Sequence, residues 1–126
     1  MGVLAVAPEP ASAALVRHSI AADLLARQVS PLCVDDVVLV ASELVSNAVI
    51  HAPAPDEAEL DVTWEVEPDA IVVRVLDSSP ELPRGRSTNE TDTRGRGLFI
   101  VAALALDWGV RRTPDGKQVW ARIPIC

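Results

Sequence analysis

Three polar residues recur at every fourth position of an otherwise apolar stretch: Glu43, Asn47 and His51 in ELVSNAVIHA. On a helix each step of four turns about 40° past a full rotation and climbs about 6 Å, so the three side chains form a slanting stripe about 12 Å long. A carboxylate, an amide and an imidazole are costly to bury without partners. Either they satisfy one another along a solvated face or core edge, or they form one wall of a polar pocket. In the second case the Asn47 amide oxygen suits a hard cation such as Mg2+. Glu43, one turn earlier, suits a general base, and His51 reaches a phosphate or lies at the rim.

Two later positions have chemistry that would complete such a pocket. Asp77 follows the apolar run IVVRVL and precedes Ser-Ser-Pro. An ionised carboxylate only accepts hydrogen bonds, so at a strand end it can receive the exocyclic amine of a base such as adenine; it can equally initiate a turn. The segment TRGRGLFIV then places Gly95 and Gly97 at the entrance to a helix. Free backbone N–H groups and the helix dipole make an anion site there, with Arg94 and Arg96 adding charge, although a plain loop-to-helix transition has the same pattern. It is not the dinucleotide fingerprint, because no strand immediately precedes it and the third glycine is missing. Nor does it contain the Gly-Lys-Ser/Thr of a phosphate loop. In chain order the three features supply what Mg-ATP needs: metal, base and phosphate contacts.

The elements that must position these groups can be read from periodicity. VLAVAP reads as a short edge strand ending at Pro8. PASAALVRHSIAADLLARQV carries Leu15, Ile20, Leu24 and Leu25 near helical spacing, with Ser12 as the expected N-cap. SPLCVDDVVLVASELVSNAVIHA is a second helix, stopped by Pro53 and Pro55. LDVTWEV and AIVVRVLD, joined by EPD, read as an antiparallel hairpin. Residues 78–96 are polar and rich in Pro, Gly, Ser and Thr, too long for an idle connection, and are read as a binding loop or lid. GLFIVAALALDWG reads as a third helix closed by Gly109, and WGVRRT, PDGK and QVWARIPI as a closing hairpin. This order predicts an α+β fold, a two-layer sandwich with helices on one face of a mainly antiparallel mixed sheet.

Composition excludes several alternatives. The 126 residues are 49% apolar and only 3% aromatic, so aliphatic side chains must fill a core of ordinary size. No internal repeat or interior linker divides them, which predicts a single domain over residues 1–126. The net charge of −7, with no basic stripe, opposes direct binding to nucleic acid. Cys33 and Cys126 have neither CxxC nor metal-ligand spacing and are expected as two reduced thiols. The N-terminus lacks the pattern of a signal peptide and no apolar run approaches membrane-spanning length, so a cytoplasmic protein without membrane contact is expected.

Together, ELVSNAVIHA, VRVLDSSPELP, GRGLFIVAALALDWGV and GKQVW resemble the histidine-kinase-like ATPase (GHKL, Bergerat) fold, and more narrowly its small single-domain branch of anti-sigma-factor serine/threonine kinases common in actinobacteria. The resemblance runs from about Val6 to Pro124. It implies ATP and Mg2+ as cofactors, with Asn47 holding the metal and Glu43 as the catalytic base that polarises the attacking hydroxyl. It also implies that Asp77 takes the adenine amine, that Arg94, Gly95, Arg96, Gly97 and Leu98 form the phosphate-side lid, and that His51, Pro80 and Gln118 line the nucleotide. The implied partners are a sigma factor and an anti-sigma-factor antagonist that is inactivated by phosphorylation, with a homodimer as a further expectation. Two departures stand out. The adenine segment reads Asp77-Ser78-Ser79-Pro80-Glu81 where the wider fold has Asp-x-Gly-x-Gly, and Lys117-Gln118 stand where a threonine near the adenine carboxylate is usual. An alternative is an ATP-binding switch that sequesters a partner without useful catalysis. A detached sensor-kinase domain fits less well, because His51 is inside the ATP motif and His18 lacks an adjoining dimerisation hairpin.

Overall fold

The computed structural model describes residues 1–51, 59–77, 99–114 and 116–125, with 50 and 51 described by backbone alone. Strand β1 (Gly2–Val6) leads into helix α1 (Ala11–Ala26) and helix α2 (Pro31–His51). Strands β2 (Leu60–Val66), β3 (Ala70–Asp77), β4 (Asp107–Thr113) and β5 (Gly116–Pro124) follow. The five strands form one sheet in the order β1-β2-β3-β5-β4, and every pairing is antiparallel. The fold class is thus α+β as expected, and the described sheet is antiparallel throughout rather than mixed.

One sheet face carries the helices. Along β3, Ile71, Val73 and Val75 point to the core, and their register partners on β5 are Ile123, Ala121 and Val119. Leu60, Val62 and Trp64 of β2 share that face. Against it lie Val16, Ile20 and Leu24 of α1 and Val37, Val40, Ala41, Leu44, Val45 and Ala48 of α2. These α2 residues recur at helical spacing, which is why one stripe of the helix is fully dry while Glu43 and Asn47 flank it.

The helix ends show local chemistry that periodicity alone does not disclose. Ser12, expected to cap α1, is instead its second residue, because Pro10 already presets the helical φ of the entry. Its buried hydroxyl turns back to donate to the Ala7 carbonyl at 2.6 Å. At the other end Val29 N–H donates to the Leu24 carbonyl and Gln28 N–H to the Leu25 carbonyl, both at 3.0 Å. That is a Schellman closure, and it places Gln28 at φ 67°, in the left-handed region usually given to glycine. Helix α2 starts with Pro31 at its first position and Ser30 as the N-cap, whose Oγ accepts from Cys33 N–H at 3.3 Å.

Two sequence expectations are corrected. The third helix does not run to Gly109: residues 99–104 are helical, and Asp107 already pairs with Arg122 as the first residue of β4. The apolar run misled because Trp108 faces the core from a strand, and Gly109 is opposite Trp120, whose ring would lie 3.1 Å from any Cβ placed there. Cys33 is fully buried and disulfide-bonded rather than a reduced thiol, and no free cysteine remains among the described residues. Spacing along the chain carries no information about which sulfurs meet in space; Cys126 lies outside the described residues. No helix among the described residues is long and apolar enough to cross a membrane.

Candidate functional site

Helix α2 packs on both β3 and β5. Its rotation is pinned from α1: Arg17 donates through Nη1 to the buried Ser42 hydroxyl at 3.0 Å. The next residue, Glu43, is half-buried. Leu44, Val45 and Ala48 are in the core, which holds Glu43 and Asn47 at the boundary of the helix layer and leaves little freedom to swing away.

Asn47 is the most informative of the stripe. Its Nδ2 is buried and has no hydrogen-bond partner. Because an amide can be turned end for end, Asn47 presents an amide with one buried end unsatisfied. Leaving such a group unmade costs about 1–3 kcal/mol. The amide has two ways to recover this. Its oxygen can ligate a hard cation, or its N–H can donate to a phosphate oxygen. Among the described residues no group of three or more His, Cys, Asp or Glu could hold a metal by itself. The only other orphan of this kind among the described residues, Thr113 Oγ1, is at the far end of β4 opposite Gly116.

Asp77 is the last residue of β3 and is 3% exposed. Side chains alternate along a strand, so Asp77 shares the helix-covered face with Val75 and Val73. Directly opposite it on β5 is Lys117, itself only 7% exposed, and alternation puts Lys117 on that same face with Val119 and Ala121. The floor of the candidate site is thus a buried carboxylate beside a buried ammonium.

The expected residues divide into three sets. Glu43 and Asn47 are partly buried on α2, the helix that packs on β3 and β5, and Asp77 is the buried last residue of β3. Gln118 does not join them. It is paired with Leu76, one residue out of phase with Asp77, and faces the other side of the sheet, where it lines a cleft with Val72, Arg74, Arg111, Trp120 and Arg122. Pro80, Arg94, Gly95, Arg96, Gly97 and Leu98 lie outside the described residues, as does the rest of the 78–96 loop, and so does the side chain of His51. Lys117 is the residue that sequence reasoning passed over. The available signal was strand parity: counted in steps of two from the core positions Ala121 and Val119, it is Lys117 and not Gln118 that returns to the helix side.

A family model described as a histidine kinase-like ATPase domain matches residues 6–123, covering α1, α2 and all five strands in whole or in part. No curated protein matches the chain.

Proposed function

Because the chain belongs to the histidine kinase-like ATPase domain family, we propose that it binds Mg-ATP between α2 and the β3–β5 strands and transfers the γ-phosphoryl group to a serine or threonine of a protein antagonist, while acting itself as an anti-sigma factor. The observation that carries the nucleotide reading is the buried, unsatisfied amide of Asn47 on a family-matched helix. Asp77 accepts the exocyclic amine of adenine, and its burial strengthens that bond by excluding water. Asn47 would hold the metal through its amide oxygen. When bound, Mg2+ would supply neutralisation of the phosphate charge.

The kinase reading adds Glu43. Its carboxylate, one turn from Asn47 and half-buried, accepts the proton of the attacking hydroxyl. The hydroxyl oxygen forms a bond to the γ-phosphorus as the bond to the bridging oxygen breaks, and ADP leaves with that electron pair. A phosphorylated antagonist carries about −1.5 to −2 additional charge. Set against a chain of net charge −7, that addition favours release, which gives the transfer a regulatory consequence.

The test uses purified protein, γ-labelled ATP and the proteins that copurify with it. Label on a serine or threonine of a bound antagonist supports kinase activity. Retained ATP binding with no transfer to any bound protein replaces it with an ATP-responsive switch. Recovery of a sigma factor in the same pull-down tests the anti-sigma role separately.

A further inference from the structure

Helices α1 and α2 both pack on the sheet face that carries Val73 and Ala121, so strand parity sends the intervening residues to the opposite face. One row of register partners across that opposite face reads Ala5, Asp61, Leu76, Gln118, Arg111, and another reads Glu65, Val72, Arg122, Asp107. The charges are sorted. Asp61 and Glu65 are on β2, to one side of the central strand β3, and Arg111 and Arg122 are on β4 and β5, to the other. Asp107, at the far edge, is the exception, and its Oδ1 accepts from the Trp108 N–H at 2.9 Å. Between the two rows Arg74 and Trp120 are register partners, with Arg74 3.6 Å from Glu65 and the Trp120 ring against Gly109. Val3 of β1, on the same face, is 65% exposed. Arg122 meets Glu67 and Asp69 at 3.3 and 3.7 Å. Neither Asp61 nor Arg111 has an ion-pair partner among the described residues.

We propose that this face is where two copies of the chain meet, sheet on sheet, about a two-fold axis running roughly along β3. Because β3 is the middle strand of five, such an axis returns it to itself and exchanges β2 with β5 and β1 with β4. Asp61 of each copy then comes over Gln118 and the neighbouring Arg111 of the other, and Glu65 comes over Arg122. Val3 comes over Gly109, beside the Trp120 ring. A face with its acids on one side and its bases on the other is self-complementary under this operation, as a two-fold interface requires. The other two-fold in the sheet plane, running across the strands, sets β2 over β2 and carboxylate over carboxylate, which charge opposes. Sheets packed face to face stand about 10 Å apart, a gap that Trp120 and the long arginine stems can fill. The surface is on the other side of the sheet from α2 and Asp77, so the proposal does not rest on the nucleotide reading.

The test is sedimentation equilibrium on the full chain without nucleotide, with Asp61→Arg and Arg111→Asp as the variants. Neither reversal breaks an ion pair among the described residues. The unsubstituted chain should form a dimer, and each variant alone should self-associate at least about 10-fold more weakly, since symmetry repeats the like-charge contact twice. An equimolar mixture of the two variants should recover the unsubstituted affinity, because the introduced arginine then meets the introduced aspartate and the native Arg111 meets the native Asp61. A misfolded variant cannot produce that recovery. Should either reversal fail to fold, Asp61→Asn and Arg111→Gln take its place, each expected to weaken the dimer. A monomeric unsubstituted chain overturns the proposal. So does a dimer that no variant weakens, or one that both reversals weaken without recovery in the mixture.

Discussion

Replacing Asn47 by leucine should raise the stability of the free protein and weaken its response to Mg-ATP. The magnitude follows from the site. An unsatisfied buried amide costs about 1–3 kcal/mol, and Asn47 Nδ2 is in that condition. Leucine has nearly the same shape, adds no polar atom, and is a better helix former by several tenths of a kcal/mol. The ligand-free domain should therefore gain about 1–3 kcal/mol in a urea titration, with an unchanged denaturant slope. Ligand linkage works the other way. At a nucleotide concentration 100-fold above Kd the unsubstituted protein gains about 2.7 kcal/mol. Losing one charge-assisted contact weakens Kd about 10- to 100-fold, so at the same concentration the gain drops to roughly 0.4–1.4 kcal/mol. Paired titrations with and without Mg-ATP read both quantities. A loss of more than about 1 kcal/mol in the free protein would show that the amide has a structural partner, and the reasoning from its unsatisfied state would collapse.

Other expectations are independent of that one. Glu43→Gln should leave ATP affinity within about twofold yet cut phosphoryl transfer by about 100-fold or more; a single-turnover assay separates the two, and unimpaired transfer removes Glu43 as the base. Trp64 Nε1 donates to Asp23 Oδ2 at 2.7 Å, and this bond, joined by the Arg27 contact at 3.1 Å, lowers the Asp23 pKa below its usual 3.8. A depressed folded-state value means that its stabilising contribution is fully present above about pH 3.8 and is lost as the pH falls through the folded value. The stability difference between the unsubstituted protein and Asp23→Asn should accordingly shrink on acidification from pH 7 to pH 3, and a constant difference in the urea midpoints contradicts it. Gln28→Gly should stabilise the fold by about 0.5–1 kcal/mol, because the left-handed φ of 67° is strained for glutamine and free for glycine; thermal melting checks the sign.

The polar stripe on α2 was legible because helical periodicity of apolar residues fixes which side faces the sheet, and the interruptions at 43 and 47 then fall on its flank. The hairpin of β2 and β3 was legible from its β-branched runs. The far side of the site was not, and the reason is parity. In a strand an error of one residue exchanges the two faces, so Lys117 and Gln118 trade places between the site and the opposite surface. A lysine read in isolation suggests a solvated side chain; only pairing with β3 reveals that it is buried. The overrun of the third helix into β4 has a related cause, since Leu104, Ala105 and Trp108 all pack on the core whichever backbone carries them. The Ser30 cap was passed over although Ser-Pro at a helix start is a readable signal. The bond at Cys33 had no signal at all in the spacing.

The strand order has a consequence for synthesis. β3 is central only because β5, made much later, pairs with it on the side away from β2. A nascent chain that ends before β5 has α1, α2 and the β1–β2–β3 meander, with the edge of β3 that β5 will pair still open. Such a strand edge is a template for wrong pairing, and contacts of long sequence separation are the slow ones to form. The central position of β3 therefore comes into being only when the last hairpin docks. A ribosome-bound chain has α2 well before it has both of the strands on which that helix packs.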